Sequence, residues 1–214
     1  MSQNKIKEMV ELKQPRITRL LLSENELASF QNFNGHESIL YLEIKKNKLT
    51  DCNAIANMPK LQELYLNENE INDIYGLLNL PALRKLDLNT NKLESFNDLP
   101  VLPGLEVFDC SNNPIEKAEE LPKLGQLISL TSIAMGGCPF ADEKGDDFKK
   151  EVLIALDQLK IKTVNDDEVT EEDVQGAKEE KEERIRVAKE AEEEAARLAA
   201  EKAAEGAEGE EEAE

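Results

Sequence analysis

The 214-residue chain carries 46 acidic and 26 basic side chains, a formal charge of −20, with 34% charged and only 4% aromatic residues. Nucleic-acid binding draws on phosphate neutralisation by Lys and Arg, so a net acidic chain with no basic stripe argues against it, and three cysteines with one histidine support neither a zinc site nor a disulfide framework. The N-terminal segment is polar and no apolar run approaches ~18 residues, which predicts no signal peptide, no membrane span and a reducing, cytosol-continuous compartment.

In chain order, residues 1–16, with apolar Ile6, Met9, Val10 and Leu12, read as a cap over one end of a core. From residue 17 the pattern L-x-x-L-x-L-x-x-N-x-L recurs. It begins at Ile17, Ile39, Leu61, Leu83 and Leu105, each 22 residues after the last, and an altered sixth copy begins at Leu130, 25 residues on. The fourth column reads Leu20, Leu42, Leu64, Leu86, Phe108 and Ile133; the sixth reads Leu22, Ile44, Leu66, Leu88, Cys110 and Met135. The ninth is Asn25, Asn47, Asn69, Asn91, Asn113 and finally Cys138. Six aligned copies over residues 17–140 are the signature of leucine-rich repeats.

Columns four and six fit a short strand whose alternate side chains share one inner face. A single repeat cannot bury that face, whereas stacked neighbours forming a parallel sheet can. The predicted fold is therefore α/β: a right-handed solenoid of about six 22-residue repeats, with a parallel sheet on its concave side. Each strand is followed by a turn whose backbone groups need partners, and an Asn amide is both donor and acceptor. The ninth column thus predicts an asparagine ladder, with Cys138 as its structural last rung. On the convex side, 54–58 and 74–78 are expected to be short helical or 3₁₀ turns stopped by nearby prolines. Residues 116–126, with Ala118, Leu121 and Leu124 three apart, predict an extra helical turn.

Residues 141–168 read as the C-terminal cap, in which Phe148, Val152, Leu153, Leu156 and Leu159 recur at helical spacing before an acidic turn at 165–168. Thr170 with Asp173 is close to a capping box and opens a charged helix over 169–205. Its i, i+4 pairs Glu180/Arg184, Glu182/Arg186 and Glu193/Arg197 are each worth about 0.2–0.5 kcal/mol. Its apolar face is thin (Val174, Ala177, Ile185, Ala188, Ala191, Ala195, Leu198), so a solvated helix and one docked on another protein both stand. Residues 206–214 are expected to be a disordered acidic tail. Residues 170–214 hold 18 acidic and 7 basic side chains, more than half of the net charge.

No constellation supports catalysis: His36 is the single histidine, no Gly-rich phosphate loop precedes a helix, and no cofactor is implied. Concave strand positions are what a repeat protein offers to partners; here they include Leu21, Leu40, Tyr41, Glu43, Tyr65, Arg84, Lys85, Asp87, Val107 and Asp109. Tyr41 and Tyr65 fit the chemistry of interface anchors, or else simply pack on one another across the sheet. Asp87 and Asp109 fall in one column of adjacent repeats, where a solvated acidic patch is the simpler reading than a cation site.

The 22-residue repeat resembles the Sds22-like class of leucine-rich-repeat proteins. Residues 113–143, with Asn113-Pro114-Ile115, the lengthened fifth repeat, the final strand and the Cys138-Pro139 turn with Asp142-Glu143, are similar to the family of leucine-rich repeat-containing protein 23, radial-spoke components of motile cilia, although Gly136-Gly137-Cys138 stands where that family has a polar-Asn turn. The likeness spans about residues 15–197. It implies a non-enzymatic scaffold of the ciliary or flagellar axoneme, in cytoplasm and cytoskeleton, whose concave face and C-terminal helix bind helical or coiled-coil radial-spoke proteins, with neither nucleic acid nor membrane as partner. A soluble acidic adaptor or regulator, nuclear or phosphatase-associated, is the alternative function class.

Overall fold

A computed structural model describes residues 4–9, 11–30, 32–53 and 55–211, with side chains of the last helix described as far as residue 199. Met1, Val10 and Ala54 lie outside the described residues, as do positions 212–214 of the expected tail. Among the described residues, eight short strands form one sheet in sequence order: β1 (Arg19–Leu21), β2 (Tyr41–Glu43), β3 (Glu63–Tyr65), β4 (Lys85–Asp87), β5 (Val107–Asp109), β6 (Ser132–Ala134), β7 (Thr163–Val164) and β8 (Asp167–Glu168). β1 to β7 run parallel; β8 returns antiparallel on β7. In β1 to β6 the central residue, the fourth column of the repeat, is buried, while its neighbours face the open concave side. The sixth column lies just beyond each strand and is buried as well, from Leu22 to Met135, so the core is one continuous stack shared by all the repeats.

The asparagine column joins that stack rung by rung. The Asn47 amide nitrogen donates to Leu22 O of the preceding repeat at 3.0 Å and to Ile44 O of its own, while its oxygen accepts the Leu27 amide at 3.0 Å. Asn69, Asn91 and Asn113 repeat the arrangement. At the N-terminal end Asn25 has no preceding repeat, and the cap supplies the missing donor: Ile6 N reaches Asn25 Oδ1 at 3.2 Å. At the other end the Cys138 thiol donates to Cys110 O at 3.3 Å. The residue before each rung turns through positive φ: Glu24, Lys46, Glu68, Thr90, Asn112 and Gly137 have φ between 53° and 74°. The first five of those amides each donate to a carbonyl of the following repeat, as Glu24 N does to Lys45 O.

The convex side differs from the expected helical turns. Residues 55–58 and 74–78 are turns and irregular segments, and isolated bridges join Glu8 to Ser29 and Asp51 to Asp73. A 22-residue coil leaves too little chain there for a helix, and the backbones approach closely: a Cβ on Gly76 would sit 2.5 Å from the Cys52 carbonyl. Among the described residues of the repeats, only the longer fifth one forms a 3₁₀ helix, Ala118–Gln126. It is tied back to the fourth by Glu120, whose carboxylate accepts the Phe96 amide at 2.6 Å and pairs with Lys123.

Beyond the last full repeat, α1 (Pro139–Lys144) and α2 (Phe148–Ala155) cover the open end of the core with Phe140, Phe148 and Val152. The acidic turn at 165–168 is a hairpin. Asn165 and Asp166 have φ of 49° and 67°, as a two-residue type I′ turn requires, and β7 extends the sheet by a seventh parallel strand inside the segment assigned to the cap. Asn165 Oδ1 accepts the Met135 and Gly136 amides at 2.7 and 3.1 Å.

The final helix, α3 (Glu171–Glu211), starts at a capping box in which Asp173 N donates to Thr170 Oγ1 and Thr170 N to Asp173 Oδ2. It passes through the boundary expected at 205/206 and includes Gly206 and Gly209, because the intervening Ala and Glu are strong helix formers and a glycine costs only about 1 kcal/mol. Of the three expected pairs, Glu180 with Arg184 forms; Arg186 instead meets Glu183 and Glu190, and Glu193 meets Lys189, partners on the same helix face. The first four turns of α3 are docked within the chain along one face, while Val174 and Lys178 stay exposed. The docked face lies on α2, with Ala177 buried, the Arg184 guanidinium gripping Glu151 through two bonds of 2.9 and 3.0 Å, and Lys181 on Asp157 at 2.6 Å. From Glu182 to Ala199 every side chain is exposed.

Two outcomes follow from this packing. Replacing Asn69 or Asn91 by Ala leaves turn amides and carbonyls of two repeats without partners, and urea denaturation should show a loss of roughly 1–3 kcal/mol for each; wild-type midpoints for both would deny the ladder a stabilising role. Truncation after Val169 should cost on the order of 1–2 kcal/mol, from one buried methyl and several partly exposed ion pairs, whereas truncation after Ala188 should leave the melting temperature unchanged. Equal melting temperatures for both truncations would mean that the α2–α3 contact adds no stability.

Candidate functional site

The open face of the sheet presents columns three and five of the repeat. Register alignment sets Tyr41 opposite Glu63 and Glu43 opposite Tyr65, so the two tyrosines are diagonal neighbours. Their rings meet with centroids 5.2 Å apart and planes tilted by 40°. Each hydroxyl donates to the carboxylate two residues away on its own strand, Tyr41 to Glu43 and Tyr65 to Glu63, both at 2.7 Å. Cations flank the pair: the Arg19 guanidinium lies 4.1 Å from the Tyr41 ring centre, and Lys45 and Lys85 lie 4.6 and 5.1 Å from that of Tyr65. Both tyrosines are half-buried, so they pack on one another and still present ring surface to solvent.

This network shifts the titration of both phenols and of Glu43. Burial and the bond to Glu43 push the Tyr41 hydroxyl up to about 12; burial and Glu63 push Tyr65 higher still. Burial alone would raise the Glu43 carboxyl, but hydrogen bonds from Ser23 Oγ (2.7 Å) and Tyr41, with Lys45 and Arg19 nearby, hold it below the usual value. The patch is thus built from neutral phenols and an anchored carboxylate, with cations on their faces.

Farther along, Asp87 and Asp109 stand side by side in register, and each accepts an amide two residues on, Asn89 N at 3.0 Å and Ser111 N at 2.9 Å. Burial raises the Asp87 carboxyl, and the neighbouring Asp109 adds to that against the Asn89 bond. Among the described residues no group of three or more His, Cys, Asp or Glu is arranged to hold a metal. Asp109, Val107 and Lys85 instead line a polar hollow of about 470 Å³ with Ser111, Ser132 and Asn165.

Of the sequence-predicted residues, Leu21, Tyr41, Glu43, Tyr65, Lys85, Asp87, Val107 and Asp109 all stand in strands β1 to β5 at outward positions. Leu40 and Arg84 precede their strands, at the rim: Leu40 is half-buried, while Arg84 is exposed and pairs with Glu106 at 3.7 Å. Sequence reasoning missed Arg19, Ser23, Lys45 and Glu63, which frame the tyrosines. Each was readable by column, since Arg19 precedes Tyr41 by one repeat, Ser23 precedes Lys45 by one, and Glu63 precedes Tyr65 by two residues.

Elsewhere the reactive residue types are structural. Cys52, Cys110 and Cys138 are buried free thiols, and burial pushes each of them up, away from the reactive thiolate. His36 takes the Ser38 amide on Nδ1 and directs Nε2 to Gln14 O at 3.0 Å, fastening the N-terminal cap. Among the described residues, no helix is long and apolar enough to cross a membrane.

The model of the family Leucine Rich repeats (2 copies) matches residues 59–101, the third and fourth coils. The chain folds as a leucine-rich-repeat solenoid. Comparison with curated protein sequences finds no match. Among solved structures, an internalin (inlF) from Listeria monocytogenes is similar over 70% of this chain at 20% identity, with a TM-score of 0.50. The match covers 47% of the internalin, so the chain spans about half its length. The SNF/U2A′ complex of Drosophila melanogaster matches over 83% of this chain and 99% of that one, at 16% identity and a TM-score of 0.47. Proteins built on this repeat generally act as protein-interaction scaffolds, and their curved sheets supply the binding surface.

The carboxylate network sets a direct test. In an NMR pH titration Glu43 should ionise below the ordinary glutamate value of about 4.3, and both Ser23→Ala and Tyr41→Phe should move its midpoint upward, because each removes a donor to the charged form. A midpoint that neither substitution moves would show that these bonds do not persist in solution.

Proposed function

We propose that the chain is a non-enzymatic scaffold whose concave face binds a protein partner, with the Tyr41–Tyr65 pair at the centre of the contact. The observation that carries this reading is the pinned state of that pair. Large amphipathic rings are among the strongest interface anchors, and ordering side chains on binding is a main cost of association. Here the rings are already ordered by each other, by the Glu43 and Glu63 carboxylates and by the flanking cations, and they remain partly open to solvent. The acidic column Asp87–Asp109 and the adjoining polar hollow suit basic and hydrogen-bonding side chains of the same partner.

The finer reading, a structural component of the ciliary or flagellar axoneme engaging radial-spoke proteins, is supported by the resemblance of residues 113–143 and the lengthened fifth repeat. It places the protein in the cytoplasm and cytoskeleton of motile cilia, with helical or coiled-coil neighbours as partners.

The test is retention of partners from a detergent-free ciliary extract by the immobilised full chain, compared with a Tyr41→Ala/Tyr65→Ala variant. The variant should keep its circular dichroism spectrum and lose the retained proteins, because truncating a central aromatic anchor costs about 2 kcal/mol or more. A folded variant that retains the same proteins would move the binding surface off the concave face. A wild-type chain that retains axonemal proteins no better than cytosolic ones would sink the ciliary placement.

A further inference from the structure

The C-terminal cap carries a second concavity, separate from the open face of the sheet. Between the end of α2, the segment that follows it and the first turns of α3 lies a groove of about 450 Å³. Its floor is apolar: Ile154 and Leu159 are half-buried there, and Val174 is 52% exposed although it sits on the side of α3 nearest the cap. An apolar cavity of about 150 Å³ accommodates a benzene ring, so the groove has room for about two or three apolar side chains. Ala177 lies between the two helices and, being small, leaves the depression unfilled.

The rim is cationic. Lys160, Lys162, Lys178 and Lys181 all line the groove. Lys181 is engaged by Asp157, but Lys160, Lys162 and Lys178 form no ion pair among the described residues. In a chain of net charge −20, this places three uncompensated positive charges around one apolar depression, against the prevailing sign of the surface. An acidic partner repelled elsewhere is attracted here, and its apolar side chains find surface that the chain's own residues leave uncovered.

We propose that this groove docks an acidic protein segment, with a few apolar anchors seated over Ile154, Leu159 and Val174 and its carboxylates against Lys160, Lys162 and Lys178. The contact is independent of the concave face, so one scaffold holds two different protein surfaces at once. Because the groove is formed jointly by α2 and α3, it exists only while the Arg184–Glu151 clamp holds the last helix on the cap.

The probe is a synthetic helical peptide with leucines at i, i+3, i+4 and i+7 and glutamates between them, titrated into the full-length protein carrying labelled Ile, Leu and Val methyl groups. A peptide with lysines in place of the glutamates, and oleate, serve as the comparison ligands. Shifts should concentrate on Ile154, Leu159 and Val174, with the acidic peptide binding and the basic one not. Lys160→Glu/Lys162→Glu/Lys178→Glu should weaken the acidic peptide by about tenfold or more, the sum of several exposed charge contacts. The control Lys13→Glu/Lys60→Glu/Lys117→Glu, with the same net charge, should leave most of the affinity. Tyr41→Ala/Tyr65→Ala should bind the peptide like the wild type, so failure of the concave-face reading and failure of this one are separable. Absence of binding, shifts spread elsewhere, or equal weakening by both triple variants would overturn the proposal. Oleate shifting the groove methyls while the acidic peptide does not would overturn it in favour of a lipid site.

Discussion

The structure depends on the capacity of one side-chain amide to bond in three directions. At the end of each short strand the chain must turn away from the sheet, and turning strips several backbone groups of their partners in a place water does not reach. An unmet buried polar group costs about as much as a whole tertiary contact stabilises. Asn47 resolves this for two coils together, giving its nitrogen to Leu22 and Ile44 and its oxygen to the Leu27 amide. That amide and the parallel strand pairing together hold successive coils about one strand spacing (~4.8 Å) apart. Extra length is accommodated away from both. The three additional residues of the fifth repeat enter the convex 3₁₀ helix, and β5 still meets β6 in the same column register, Phe108 against Ile133.

A stack of like units must be closed by unlike ones, and the two ends use different chemistry. The N-terminal cap imitates a missing coil through backbone, with Ile6 N on Asn25 and Glu26 N on Ile6 O. The C-terminal end replaces the amide rung with a thiol: Cys138 donates to Cys110 O, and the amides of Met135 and Gly136 are taken by Asn165 from the hairpin turn. That turn ends the sheet with an antiparallel strand of two residues, Asp167 and Glu168, both exposed and acidic, which discourages another chain from adding to the edge.

Most of the repeat architecture was legible because its determinants recur. Six copies average out the ambiguity of any one, and the Leu and Asn columns each answer to a single physical demand, burial for one and backbone satisfaction for the other. What was not legible arises once only. The convex segments of 22-residue coils carry apolar spacing that suits a helix, but the short coil and the close backbone approach seen at Gly76 leave no room for one. The β7–β8 hairpin has no repeat to announce it, and its turn residues Asn165 and Asp166 resemble any acidic loop. The seat of α3 on the cap depends on Arg184 finding Glu151, 33 positions earlier, a pairing between segments that share no periodicity. On the concave face the outward positions followed from strand alternation, whereas the stacking of Tyr41 on Tyr65 required the diagonal register that only the assembled sheet provides.

The left-handed residue before every rung bears on how the array comes apart. Five of those six positions hold Glu, Lys, Thr or Asn rather than Gly, and a side chain in that conformation carries roughly 1–2 kcal/mol of strain. Taken alone, then, each coil is intrinsically unfavourable: a three-residue strand, a strained turn and an apolar face with nothing to cover it. The favourable part lies almost wholly in the coupling between neighbours, through ladder bonds and shared core. In a one-dimensional array with unfavourable units and favourable coupling, a lone coil is unstable and stability accrues only as neighbours are added. Coupling of that kind makes neighbouring coils unfold cooperatively, so a partner that grips one stretch of the concave face also stabilises the coils beside it.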